Sequence, residues 1–555
     1  MAQALRLTLI RRLAPLGSPG HGRRWSSVWL AALPVALILG PLLPGLYWAL
    51  APALDAAVWQ ALWADAQWPQ ALQASLLSAL LGTALGAAMA AVLATLYYPG
   101  RRWADLQRRM PLLLSVPHAA FAVGLFFLLS PSGWLARALA QGLGWADPPA
   151  WITVQDPYGL SLALALGIKE SWFLLWVLVA VLGEQQVQRH MVVARSLGYS
   201  RVQVWHLVLW PQLLPRLGWP LAAVWAYGLS VVDMAVILGP GTPPTLAVLI
   251  WQWLIDPDAA MQAKGGAASL VLLGLFLLGA GASRWLWRHT VRRAAYPSGE
   301  RRPAPRPARV GLHVPVLLIG YAVVAVLLVW SLAESWFFPA LWPESLSLQT
   351  WRQADWAPFW TTLWLGAAAV LLCLPAALLW LEWGPQRFNA VLYVPLIIPT
   401  LPLVAAQYAA LLRLQVDGTA AGLVWSHLLW VLPYMVLTLI GPYRAFDRRL
   451  MTTARALGHS PLRACWSVKW PMLLKPMLAA LAVGFAVSVA QYLPTLFAGG
   501  GRFVTVTTEA VALSAGGNRR VLAVQAMLQI ALPLLGFGLA ALMSHWTGRA
   551  RKGLR

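Results

Sequence analysis

Apolar runs of about twenty residues follow one another along almost the whole chain. Twelve can be drawn, at residues 28–50, 71–98, 111–130, 159–183, 217–238, 266–283, 311–332, 359–381, 390–412, 419–442, 477–498 and 521–543. Roughly twenty apolar residues in a helix span the hydrocarbon core of a bilayer. In lipid every backbone N–H and C=O must find its partner within the protein, so only helices and closed barrels can cross. A barrel would show segments of about ten residues alternating in polarity, and these runs do not alternate. The chain therefore reads as an all-α polytopic membrane protein of about twelve transmembrane helices. Only 11% of its residues are charged, against about 25% in soluble domains.

The net charge of +23 invites a nucleic-acid reading. The distribution of the charge argues against it. With the N-terminus placed in the cytoplasm, the inside segments hold 33 of the 41 Lys and Arg but only 5 of the 18 Asp and Glu. Cytoplasmic loops carry such an excess as a rule of membrane topology. Residues 1–27 read as a basic cytoplasmic tail: the first 24 carry five Arg and no acid, and the apolar run that follows is too long for a signal-peptide core. Two cysteines, Cys373 in a span and Cys465 in a loop, offer no disulfide framework. The 34 Trp fit residues gathered at membrane interfaces.

The chain also contains one segment twice. Residues 194–200 read Ala-Arg-Ser-Leu-Gly-Tyr-Ser and residues 454–460 read Ala-Arg-Ala-Leu-Gly-His-Ser; Trp210-Pro211 and Trp470-Pro471 follow at the same distance. The offset is 260 residues, and ten of twenty-one aligned positions are identical. Further pairs match outside these loops. Pro111 to Pro117 corresponds to Pro395 to Pro399, Ser230-Val-Val-Asp233 to Ser488-Val-Ala-Gln491, and Gly239, Gly241 and Thr245 to Gly499, Gly501 and Thr505. The expected organisation is a first repeat at 28–283, an Arg/Pro-rich cytoplasmic linker at 284–310, a second repeat at 311–543 and a basic cytoplasmic tail at 544–555. Six spans in each half give the repeats parallel orientation, with their symmetry axis along the membrane normal.

Within each loop, apolar residues recur at near-helical spacing among arginines, and a glycine interrupts the pattern. This predicts two short amphipathic helices joined at Gly198 and, in the second copy, at Gly458. Such a basic amphipathic surface lies on anionic lipid or against a partner. Two copies at equivalent places favour a partner with two-fold symmetry. Inside the spans, charged groups are costly and are functional candidates by default. Lys169 and Glu170 lie near the middle of one span and Asp233 in another; Gln491 and Tyr492 occupy the matching place in the second half. Lys169 and Asp233 are either a structural pair across helices or part of a translocation path with Glu170, Ser230, Ser488, Gln491 and Tyr492. Pro433 and Trp430 are expected to interrupt the helix that corresponds to the one bearing Lys169.

Both loops resemble the EAA loop of ATP-binding-cassette importer permeases: Glu-Ala-Ala, three residues, Gly, nine residues, then Ile-x-Leu-Pro. The first copy reads Val192-Val193-Ala194, Gly198, then Val208-Leu209-Trp210-Pro211; the second reads Thr452-Thr453-Ala454, Gly458, then Val468-Lys469-Trp470-Pro471. The leading Glu is replaced by Val192 and Thr452. The two-repeat form resembles the fused ferric-iron and thiamine permease group, with 491–497, 499–502 and 507–511 most similar to one subgroup of it. The resemblance implies a permease subunit in the bacterial inner membrane, with both termini cytoplasmic. It implies a separate homodimeric ABC ATPase on the loops, through Ala194, Arg195, Gly198, Ser200 and Pro211 and through Ala454, Arg455, Gly458, Ser460 and Pro471. It also implies a periplasmic solute-binding protein that delivers substrate. No Gly-x-x-x-x-Gly-Lys-Ser/Thr loop is present, so ATP hydrolysis is assigned to another subunit. Paired metal-ligand spacings are lacking, and no cofactor, metal or nucleic acid is expected. The alternative is a secondary transporter of two parallel six-helix halves, coupled to protons through Asp233 or Glu170.

Overall fold

The computed structural model describes residues 25–291 and 313–549. Nearly all of the tail 1–27, most of the linker 284–310 and the end of the tail 544–555 lie outside the described residues. The described residues are mostly helical, with loops between the helices and one short antiparallel pair, Ala333–Ser335 with Ser345–Leu346.

Eight helices among the described residues are long and apolar enough to cross a membrane: Ala31–Leu54, Trp68–Tyr97, His118–Leu143, Leu160–Leu182, Ala259–His289, Ala357–Trp383, Ala420–Ala445 and Arg519–Thr547. The other four expected spans fall on shorter or interrupted helices. Leu317–Leu332 and Thr400–Leu414 are short, Trp210–Ser230 stops two residues before Asp233–Leu238, and Leu474–Val489 is bent by 78° from Pro461–Met472. The chain is an all-α polytopic membrane protein.

The interruptions come in matched pairs. Arg101–Ser115 ends at Val116-Pro117 and resumes as His118–Leu129; Val394–Ile397 ends at Ile398-Pro399 and resumes as Thr400–Leu414. A residue that precedes proline is driven out of the helical region, and Val116 and Ile398 are extended, with ψ of 117° and 143°. The second pair separates Trp210–Ser230 from Asp233–Leu238 and Leu474–Val489 from Leu493–Gly499. These two breaks fall on Ser230-Val-Val-Asp233 and Ser488-Val-Ala-Gln491, the two polar tetrads of the sequence. One expected interruption does not occur. Helix Ala420–Ala445 runs unbroken through Pro433. Pro433 and Trp430 are buried, and tight packing by neighbours tolerates the one missing backbone bond.

The first helix of each half packs on the opposite half. Leu42–Leu50 lies along Thr400–Leu414, and His313–Leu332 lies along His118–Leu129. Each contact is closest at a glycine. A Cβ at Gly45 would stand 2.1 Å from the Ala406 carbonyl oxygen, and one at Gly124 would stand 2.5 Å from Val323 Cγ1. Small residues of this kind let membrane helices approach closely. The loop after His313–Leu332 is then pinned to the first half by Arg137, which is 2% exposed. Its guanidinium donates to the carbonyls of Ser132, Trp336, Phe337 and Ala340 and lies over the Trp336 ring. The main core accordingly mixes both halves: Val123, Leu125 and Ala235 share it with Val326, Val404 and Phe497.

Candidate coupling loops and helix-break site

The two copies of the repeated segment have the same backbone. Helices Gln185–Ser196 and Arg448–Ala456 each end at a glycine in the left-handed region, Gly198 with φ +84° and Gly458 with φ +88°. Only glycine enters that region freely. The bonds that close the turn also match. Gly198 N donates to Arg195 O at 3.0 Å and Tyr199 N to Ala194 O at 3.2 Å; Gly458 N donates to Arg455 O at 3.0 Å and His459 N to Ala454 O at 3.1 Å. The next helical segment starts alike in both. The Ser200 hydroxyl accepts from Gln203 N and the Ser460 hydroxyl from Arg463 N, each a side-chain cap of a free N–H. A widened turn follows at Val204–Leu209 and at Cys465–Lys469, and Pro211 and Pro471 then sit at the first turn of the next helix.

Burial repeats as well. Ala194 and Ala454 are buried against the body, while Arg195 and Arg455 are exposed. Val192, Val193 and Leu197 stand outward on the first loop, and Leu457, Leu462 and Trp466 on the second. Exposed large apolar side chains in one patch mark an interaction surface. Val192 and Thr452, where the resemblance expects Glu, are both exposed.

Each loop is tied to the end of a long helix by a cation, through different chemistry. Arg201 Nη2 donates to the carbonyls of Thr95, Leu96 and Tyr98 at the end of Trp68–Tyr97. Burial, reinforced by the nearby charge of Arg195, holds the Arg201 pKa below its ordinary value. In the second half Lys469 Nζ pairs with Glu382 at the end of Ala357–Trp383. Trp470 Nε1 donates to the Tyr443 hydroxyl at 2.7 Å beside this pair.

The candidate path residues gather at the helix breaks, and the structure sorts them. Lys169 does not reach Asp233. Its ammonium donates to the carbonyls of Leu113 and Val116, freed where Arg101–Ser115 stops. Glu170 Oε1 lies 3.2 Å from His118 Nε2, the first residue after Pro117. The His118 ring packs on Tyr227 at 4.8 Å between centroids. Asp233, 8% exposed, opens the short helix Asp233–Leu238. Ser230 Oγ accepts from Thr400 N at 3.1 Å, a bond from one half's break to the other's. Ser488 belongs to a separate group, in which His427 contacts its hydroxyl at 2.8 Å and that of Thr495 at 3.0 Å. Gln491 lies in the break itself, and its carbonyl accepts from Thr495 Oγ1.

His118, Tyr227, Tyr434 and His427 escaped the sequence reading. His118 carried one available signal: it directly follows a span-breaking proline. Beyond the breaks, 145–158 forms a cap. Asp156 accepts from the backbone N–H groups of Tyr158, Leu160 and Ser161 and from the Ser161 hydroxyl. Burial opposes ionisation there, but the hydrogen bonds from Ser161 and Leu160 outweigh it and hold the carboxyl below its ordinary value.

No family model matches the chain. Individual proteins do. The inner membrane ABC transporter permease protein YnjC of Escherichia coli K12 is 42% identical over 532 residues, which is 96% of this chain and 99% of the relative. The thiamine transport system permease protein ThiP of the same organism is 26% identical over 71% of this chain and 73% of its own. The spermidine/putrescine transport system permease protein PotC of Haemophilus influenzae is 20% identical over 21% of this chain and 46% of its own. With four residues in ten shared along almost the full length of YnjC, and two loops of one backbone, the chain belongs to the ABC transporter permeases: it is a permease subunit and not an enzyme.

Proposed function

We propose that the chain is both membrane halves of a binding-protein-dependent importer of the bacterial inner membrane. Residues 28–283 and 311–543 are its two repeats, joined by 284–310. The repeated loops and both termini face the cytoplasm, where the basic residues concentrate. A homodimeric ATPase grips the two loops, and a periplasmic solute-binding protein presents a small solute at the opposite end. ATP binding draws the loops together, the halves rock, and the breaks near Ser230, Asp233, Ser488 and Gln491 change the side to which they open. Backbone irregularity inside a span belongs where it lines a cavity, as in transporters.

The observation that carries this reading is the pair of loops with matching serine caps, matching glycine conformations and an exposed apolar face on each, 260 residues apart. A two-fold partner needs two equivalent surfaces. Membership among ABC permeases favours ATP as the driving force over proton exchange at Asp233 or Glu170. The test is co-purification of the tagged chain from its native membrane, followed by uptake into proteoliposomes. An associated ATPase and ATP-dependent uptake that Gly198→Val with Gly458→Val abolishes are the expected results. Uptake by the chain alone under a proton gradient would overturn the reading.

A further inference from the structure

A cavity of about 290 Å³ opens between helices Trp68–Tyr97, Leu160–Leu182 and Trp210–Ser230. Every residue on its walls is Ala, Leu or Trp, among them Ala88, Ala91, Leu178, Trp210, Leu214 and Leu221. Ala88 is exposed, whereas Leu178 is buried. Protein interiors are packed as densely as organic crystals, and atoms that line an empty gap lose their dispersion contacts. An apolar groove of this size that opens towards hydrocarbon is therefore filled from the bilayer. Its length fits one leaflet. Trp210 and Leu221 are eleven positions apart on one helix, about 16 Å at 1.5 Å per residue, close to half of the ~30 Å hydrocarbon core.

The end at Trp210 stands at headgroup level. Between ring centroids, Trp210 packs on Trp205 at 5.3 Å, Trp205 on Tyr98 at 6.3 Å and Tyr98 on Trp103 at 5.6 Å. Trp and Tyr gather where a membrane meets water. Cations stand around this end. Arg201 engages the carbonyls of Thr95, Leu96 and Tyr98 through Nη2 alone, and its Nη1 makes no hydrogen bond among the described residues. The exposed Arg102 lies over the Tyr97 ring at 5.9 Å. Tyr97 is six positions beyond Ala91 on one helix, about 9 Å. The carboxylates closest to these arginines in the sequence are already engaged, Asp105 by Arg108 at 3.9 Å and Glu184 by Arg216 at 2.7 Å. Basic pockets between helices on the cytoplasmic side attract anionic lipid headgroups.

We propose that this groove holds one acyl chain of an anionic phospholipid of the cytoplasmic leaflet, with the lipid phosphate on Arg102 and Arg201. The lipid joins helix Trp68–Tyr97 to Trp210, where the first loop returns to the membrane; the second loop has Pro461 in place of the arginine. The choice of leaflet rests on the reading that places the loops in the cytoplasm. Native mass spectrometry of the full chain in detergent, with neither ATPase nor binding protein, reads the binding. The chain is titrated with dioleoyl phosphatidylglycerol and with dioleoyl phosphatidylcholine, which differ in the headgroup alone. The first phosphatidylglycerol is expected to bind at least fivefold more tightly. Ala88→Phe, which fills the groove from its rim, should weaken that binding tenfold or more, and Leu214→Phe repeats the test from another wall if the first variant does not fold. Arg102→Gln with Arg201→Gln should bring the two lipids within twofold of each other with phosphatidylcholine binding kept. The proposal is overturned if the unaltered chain binds both lipids equally, if the filled groove binds phosphatidylglycerol as before, or if the arginine variant keeps its preference. It is also overturned if the arginine variant loses both lipids, which would make the arginines structural, or if the delipidated chain forms a dimer that the phenylalanine disperses, which would give the groove to a second copy. Lipid binding needs no ATP, so failed uptake with lipid binding intact would count against the importer reading alone.

Discussion

Arg201 donates to the Tyr98 carbonyl at 2.9 Å, and the same nitrogen reaches Leu96 O at 2.7 Å. The first loop is thus fastened to the last turn of Trp68–Tyr97, where free carbonyls attract a cation. The corresponding position in the second loop is Pro461, which cannot make this tie. Lys469, eight residues later, makes it to Glu382 instead. Two repeats have reached one join by different residues, which marks the join itself as the constrained feature.

Removing the first tie should loosen the loop without unfolding the spans. A hydrogen bond to a charged group contributes about 1.5–3 kcal/mol net. Arg201→Ala is therefore expected to lower solute moved per ATP hydrolysed by about tenfold, a factor worth about 1.4 kcal/mol. Arg201→Lys should recover only part of this, because an ammonium cannot reproduce the planar fork. The ratio of uptake to hydrolysis in proteoliposomes checks it, and an unchanged ratio in Arg201→Ala would sink the idea.

The second tie is ionic and mostly buried, with the Lys469 and Glu382 side chains 12% and 16% exposed. Breaking a buried pair from one side costs about 3–5 kcal/mol, because the remaining charge is stranded. Glu382→Ala and Lys469→Ala should each lower the thermal inactivation midpoint, and the exchange Glu382→Lys with Lys469→Glu should restore most of the loss. A double variant no better than the singles would show that the two residues act separately.

Gly458 has open space around its Cα, so a side chain there meets only the backbone conformation. An ordinary residue in the left-handed region costs about 1–2 kcal/mol, and asparagine suffers least. Gly458→Asn is expected to retain near-normal uptake, while Gly458→Val loses it with membrane insertion intact. Equal uptake by the two variants would mean that the turn is not required.

Asp156 predicts a pH signature. Its folded pKa lies below the ordinary 3.8, so the folded chain holds the proton less tightly than the unfolded one. The cap's contribution is complete above 3.8 and is lost as pH falls through the lower folded value. Asp156→Ala should cost about 0.5–2 kcal/mol, the usual value of a helix cap. The gap in melting temperature between variant and wild type should stay constant from pH 5 to 8 and shrink only in stronger acid. A gap that closes near neutral pH would contradict the assignment.

Much of this architecture is legible in the residues. Apolar run lengths place all twelve expected spans on helices. Pro117, Pro399 and the tetrads that begin at Ser230 and Ser488 mark where helices stop, and the doubled glycine marks the turn of each loop. Pairing inside the membrane was not legible. Lys169 and Asp233 carry opposite charges in neighbouring spans, yet Lys169 is engaged by the carbonyls that a broken helix frees, a partner with no sequence signature. Pro433 reads as a break because a proline removes one backbone bond; helix Ala420–Ala445 absorbs that loss, as Trp210–Ser230 does at Pro215 and Pro220. Tyr227 and Tyr434, unlike Tyr492, were missed because an aromatic residue in an apolar run looks like core.

The exchange of first helices also has a consequence for how the chain is made. Leu42–Leu50 touches Ala259–Leu286 of its own half where Gly266 meets Ala49, but its Gly45 face finds its packing surface only when Thr400–Leu414 enters the membrane, some 350 residues later. At about 5–20 residues synthesised per second, that helix waits on the order of tens of seconds with its Gly45 face turned to lipid or to an insertion chaperone. His313–Leu332, in contrast, meets His118–Leu129 already in place. The order of synthesis thus separates two contacts that are equivalent in the finished protein, and it makes the Gly45 face the last surface of the first half to be covered.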